Sequence, residues 1–119
     1  MEKIIFLNNP ICLDFPEFNY LGEFEKGEIK ERLENKTSYL VSVSSKYYAV
    51  IDLEKDAIHV REVAGNFYRN IMPLFFMVHG LAKYLKKDFI TLVASKKAVG
   101  RLAKKVGFEL QNDMYIKAV

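Results

Sequence analysis

Few residues in this chain have the type and spacing that chemistry requires. The two histidines, His59 and His79, form no metal-ligand pattern with each other or with neighbouring carboxylates. No metal is expected, and each histidine reads as a packed or surface residue. The single Cys12 has no second cysteine to pair with and no nucleophile motif around it, so it reads as a small buried residue. The carboxylate of most interest is Glu62. It is either paired with a neighbouring Lys or Arg or available as a base, and a base requires a raised pKa and an acceptor pocket. The basic run Lys96, Lys97, Arg101, Lys104 and Lys105, with Lys83, Lys86 and Lys87 before it, either meets phosphate or is a solvated helix face. No aromatic-rich RNA-reading motif accompanies it, so nucleic acid is not the expected partner. Asn70 suits a helix N-cap with Pro73 in the first turn, and such a helix start can hold an anion, less one donor at the proline.

The elements that must position these residues follow from periodicity. Residues 3–7 read as a short buried strand, broken by Asn8, Asn9 and Pro10. Residues 11–22 are irregular and aromatic, with Phe15, Phe18 and Tyr20 around Pro16; they cover one edge of the core or form a lid or partner surface. Residues 23–35 are a charged helix whose thin apolar stripe is Phe24, Ile29 and Leu33. A hairpin follows over 37–44 and 47–51, then a polar turn over 52–56. A third strand over 57–64 alternates Ile58, Val60, Glu62 and Ala64 against His59, Arg61 and Val63. The main helix runs to about residue 87 on the apolar face of Ile71, Leu74, Phe75, Val78, Leu81, Ala82 and Leu85. Residues 89–94 form an apolar strand expected to be covered on both faces. A basic helix over 96–106 ends at Gly107, and two short strands, 108–110 and 114–119, flank the turn of Gln111, Asn112 and Asp113.

The whole is a mixed α/β chain with a six- to seven-stranded sheet and flanking helices, antiparallel hairpins first and a βαβ crossover later. Its 119 residues make a single domain, 1–119, with an N-terminal strand and aromatic loop over 1–22 and the core over 23–119. Half of the residues are hydrophobic, which excludes a disordered chain. The net charge of +3 is too mild to argue for a polyanion. With one cysteine, no secretory segment and no membrane-spanning run, a cytoplasmic or intravirion location fits and no membrane partner is expected.

This order, with Gly107-Phe108 after a short final helix, resembles the GNAT superfamily of N-acetyltransferases over residues 23–119. That family's final helix often reads Asn-x-x-Ala-x-x-Leu-Tyr-x-Lys-x-Gly-Phe. Leu102, Lys105, Gly107 and Phe108 match it, while Lys96, Val99 and Ala103 stand at its Asn, Ala and Tyr positions. Short GNAT-like proteins of tailed phages are similar. The resemblance implies the acyl-CoA N-acyltransferase fold. If activity is retained, it also implies acetyl-CoA as co-substrate and an amine acceptor. It places Glu62 as general base. It leaves Tyr115 or Tyr68 to replace the missing acid at Ala103. It assigns cofactor contacts to Val63, Ala64, Asn66, Tyr68, Arg69, Asn70 and Ile71. The family's Arg/Gln-x-x-Gly-x-Gly/Ala loop is not restored in either register: from Arg69 the glycine positions hold Met72 and Leu74, and from Tyr68 they hold Ile71 and Pro73. A catalytically inactive binding or virion-structural protein, with a protein partner or a second copy, is the alternative.

Overall fold

The computed structural model describes residues 4–6, 13, 15–19, 21–43, 47–65, 72–93 and 97–119. The elements run β1 (Ile4–Phe6), a short 3₁₀ turn (Pro16–Phe18), α1 (Glu23–Glu34), β2 (Tyr39–Val43), β3 (Tyr47–Leu53), β4 (Ala57–Gly65), α2 (Met72–Tyr84), β5 (Phe89–Leu92), α3 (Lys97–Lys105), β6 (Glu109–Gln111) and β7 (Met114–Ala118). The seven strands form one mixed sheet in the order β1-β2-β3-β4-β5-β7-β6. β4 and β5 are parallel. The other neighbours are antiparallel.

Helices cover both faces of the sheet. α2 and α3 pack on one face, where Leu74, Phe75, Val78 and Ala82 of α2 and Val99 and Ala103 of α3 meet Val41, Ile51, Ile58, Val60, Ile90 and Leu92. α1 covers the other face with Ile29 and Leu33, against Leu40, Val50 and Ala64. Phe24, expected in the apolar stripe of α1, is 75% exposed instead. The aromatic segment belongs to this second core: Phe18 is fully buried and its ring lies 5.8 Å from Tyr48, with Phe15 5.7 Å from the same ring. That burial favours the core-covering reading over a lid at Phe18.

A β-bulge changes the face of every residue beyond it in β4. Val50 pairs Glu62 but Ile51 pairs Val60, so Arg61 is the extra residue. The expected alternation is therefore corrected. Ile58, Val60 and Val63 lie with the α2 core, whereas Ala64 lies with the α1 core, and so does Glu62 through its partner Val50. Period-two reading has no way to register an inserted residue.

Each helix stops in a Schellman turn. Thr37 bonds back to Arg32 and Lys36 to Leu33; Lys87 to Ala82 and Lys86 to Lys83; Phe108 to Ala103 and Gly107 to Lys104. The left-handed positions are Lys36, Lys86 and Gly107. α2 thus ends three residues earlier than its apolar periodicity suggests. Lys87 then turns back, and its ammonium donates to the carbonyls of Glu54 and Lys55. Asn112 and Asp113, both at positive φ, close the β6–β7 hairpin as a two-residue loop. The strand expected over 89–94 is not covered throughout: Ile90 and Leu92 are buried, but Phe89 and, just past the end of β5, Val93 are exposed.

Candidate active site and its fold family

The parallel β4–β5 ladder ends at the bulge. The β4–β5 ladder runs from Ala57↔Phe89 to Val60↔Leu92, yet β4 continues to Gly65. β5 ends at Leu92, so β4 runs on past the end of its parallel partner. Ligands of open α/β sheets bind in crevices at the carboxyl ends of parallel strands. Glu62, Val63 and Ala64 occupy that stretch of β4, with Glu62 half-buried on the α1 face. Asn66, Tyr68, Arg69, Asn70 and Ile71, the rest of the expected cofactor set, lie outside the described residues, as does Cys12. α2 begins at Met72, with Pro73 next.

Tyr115 approaches the same region from the other side. On β7 it pairs Leu92, the last residue of the β4–β5 ladder, and it packs with the α2–α3 core. Its ring lies over α3: a methyl group added at Gly100 would fall 2.5 Å from the phenolic oxygen. Glu62 and Tyr115 are therefore on opposite faces, on strands separated by β5.

A second polar group was not expected. Asp52, read from sequence as a turn residue, ends the buried part of β3 and is 7% exposed. Its carboxylate accepts from the buried Ser38 hydroxyl, from Arg61 Nε at 2.5 Å and from an Arg32 terminal nitrogen at 3.3 Å. Arg32 Nε also donates to Ser38 Oγ at 3.1 Å. Arg32 comes from α1 and Arg61 from the bulge, so one buried carboxylate ties the helix to the kinked strand. Only one sequence signal could have found it: an aspartate directly after the apolar run 49–51, within reach of the strand itself.

His59 sits opposite Asp52 in the β3–β4 register, and its Nδ1 shares a 2.7 Å hydrogen bond with Thr91 Oγ1. Burial pushes its imidazole below the ordinary value; Asp52 and Glu54 oppose this, and the Arg61 and Arg32 guanidiniums add to it. His79 on α2 is also lowered, by burial and then by Lys117 and Lys83. Among the described residues no three His, Cys, Asp or Glu side chains converge as a metal site would require, and no helix is long and apolar enough to cross a membrane. Of the basic run, Arg101, Lys104 and Lys105 are exposed on α3.

Comparison with solved structures decides the architecture. A GNAT-family protein from Desulfovibrio desulfuricans superimposes with a TM-score of 0.70 at 8% identity, covering 99% of each chain. An acetyltransferase from Streptococcus agalactiae gives 0.66 at 14% identity, covering 99% of this chain and 98% of that one. This chain has the GNAT fold. The toxin AtaT, solved as a point mutant bound to the C-terminus of the antitoxin AtaR and to acetyl-CoA, also superimposes on this chain. It gives a TM-score of 0.64 at 12% identity, over 99% of this chain and 93% of that one. The sequence itself matches no family model and no curated protein. Within the GNAT fold, Ala103, at the position the sequence pattern gives to tyrosine, is fully buried on α3.

Proposed function

We propose that this chain is an N-acetyltransferase that passes an acetyl group from acetyl-CoA to an amine. The observation that carries the reading is that β4 runs past the end of the β4–β5 ladder at Val60 and Leu92, so that Glu62, Val63 and Ala64 stand at the carboxyl end of the parallel pair beside the Arg61 bulge. The GNAT fold and an acetyl-CoA-bound neighbour support it. Val63 and Ala64, with the segment Asn66, Tyr68, Arg69, Asn70 and Ile71 leading to α2, would hold the thioester and pyrophosphate. The amine nitrogen attacks the acetyl carbonyl directly. Its proton passes to the Glu62 carboxylate from the α1 face, the C–N bond forms and the C–S bond breaks. Tyr115 donates the proton that the departing thiolate takes up.

Tyr115 suits that role for a geometric reason. A helical side chain leans toward the N-terminus and covers the turn before its own Cα. A tyrosine at position 103 would therefore lie over Gly100. The hydroxyl found at Gly100 belongs to Tyr115, delivered from β7. The acid is absent from α3, but a phenol stands on that surface.

The first test is thermal denaturation with acetyl-CoA. A ligand that binds the native state must raise Tm, and no shift at millimolar acetyl-CoA sinks the reading. With binding in hand, CoA thiol release is measured across a panel of amines. Glu62→Gln and Tyr115→Phe are each expected to lower kcat about 10²-fold or more. The second reading, a GNAT-fold protein that binds a protein partner or a second copy without catalysis, rests on the absence of glycine from 66–71 and on Ala103. It predicts no thiol release with any amine, together with a complex detectable by size in solution; a clean monomer that binds no partner counts against it.

A further inference from the structure

The α1 face carries a pocket to which the proposed acetyl transfer assigns no role. Its volume is about 380 Å³, and its lining is Glu28, Glu31, Arg32 and Asn35 from α1 and the residue after it, Thr37 beyond the helix, and Arg61 from the bulge. That is room for roughly a dozen heavy atoms, at ~30 Å³ for each water displaced. Every lining residue is polar or charged.

Its charges are divided. Arg32 and Arg61 share the single buried carboxylate of Asp52, which leaves about one unit of positive charge at their end. Asp52 and Ser38 fix both guanidiniums through Nε and one terminal nitrogen of Arg32. Their remaining N–H groups have no acceptor among the described residues, and they are oriented donors of the kind that grips a carboxylate. Glu28 and Glu31, one helical turn apart, make no ion pair among the described residues and supply negative charge at the other side. A pure anion would meet Glu28 and Glu31. A pure cation would leave the arginines unmatched.

The geometry points to a zwitterionic amine of amino-acid type as the ligand of this pocket, its carboxylate on Arg32 and Arg61 and its ammonium on Glu28 and Glu31. Preorganisation by Asp52 is what makes the carboxylate end selective, because the guanidiniums need not be ordered on binding. The binding claim does not depend on acetyl transfer.

The test uses the full chain without acetyl-CoA, so its outcome is separate from that of catalysis. Binding is measured by NMR titration at low salt with three probes: L-glutamine, N-acetyl-L-glutamine and L-glutaminamide. L-glutamine should bind about tenfold more tightly than either singly charged analogue. Glu31→Gln, on the exposed helix surface, should weaken L-glutamine about tenfold and leave N-acetyl-L-glutamine unchanged. Arg61→Gln should abolish the preference for L-glutamine over its amide. Equal affinity for the three probes overturns the proposal. So does the absence of a saturable shift with L-glutamine at about 50 mM, or a Glu31→Gln variant that binds all three as before.

Discussion

Asp52 shows how one residue can determine local architecture. Its carboxylate is buried, and its partners come from the loop before β2, from the bulge and from α1. Burying a carboxylate is tolerated only when donors surround it. Asp52→Asn removes the charge that both arginines share. Because those arginines remain over a third exposed and can be rehydrated, the expected loss is about 2 kcal/mol rather than the larger penalty of a sealed pair. Urea denaturation measures it, and a loss below about 0.5 kcal/mol would show the cluster to be ornamental for stability. His59 beside it gives a pH dependence. Its folded pKa lies below the unfolded value near 6.5, so the unfolded chain binds more protons between the two. The neutral ring is favourable above the unfolded pKa, and that contribution is lost as pH falls below about 6.5. Stability should decline from pH 7 to pH 5, and His59→Gln should flatten the slope; an unchanged slope refutes the assignment. His79 contributes with the same sign.

At the scale of elements, the helix ends and the α3–β7 contact are the instructive features. All three helices close in the same hydrogen-bonded turn, but only α3 places glycine at the left-handed position. A lysine there costs roughly 1 kcal/mol against glycine. Lys86→Gly should therefore stabilise the protein by about 0.5–1 kcal/mol, visible as a higher urea midpoint with an unchanged m-value. The contact between α3 and β7 has the opposite character. Gly100 is buried, and a methyl group there meets the Tyr115 hydroxyl at 2.5 Å and its ring carbon Cζ at 3.1 Å. Gly100→Ala should cost about 1–3 kcal/mol through forced displacement of the ring. Adding Tyr115→Phe should recover part of that loss, since the closest atom is gone. A double mutant no more stable than Gly100→Ala would place the strain elsewhere.

For the molecule as a whole, the one parallel pair among the described strands lies between antiparallel neighbours, and β4 runs past its end. Helices on both faces seal two cores. Under the proposed function, acetyl-CoA binding at the carboxyl ends of β4 and β5 should stabilise the entire fold, by about 2.7 kcal/mol at a hundredfold excess over Kd. Differential scanning fluorimetry reads this directly. Glu62→Gln, which alters a proton acceptor and not the cradle, should show the same shift as the parent.

The sequence alone determined the elements and their order. Apolar periodicity named α2, the alternation of 37–44 and 47–51 named the β2–β3 hairpin, and Gly107 marked the end of α3. The ending Leu102, Gly107 and Phe108 indicated the family of fold, because packing positions tolerate few residue types. Those signals are local: each is fixed by a period or a backbone preference within a few residues. Tertiary structure decided the rest. The bulge at Arg61 moved Glu62 to the α1 face, an event set by pairing with β3 rather than by β4 itself. Asp52 became buried because Arg32 and Arg61, from distant parts of the chain, surround it. Tyr115 reached Gly100 because β7 inserts between β5 and β6. Charge burial and side-chain approach depend on which strands become neighbours, and that information is carried by no single stretch of sequence.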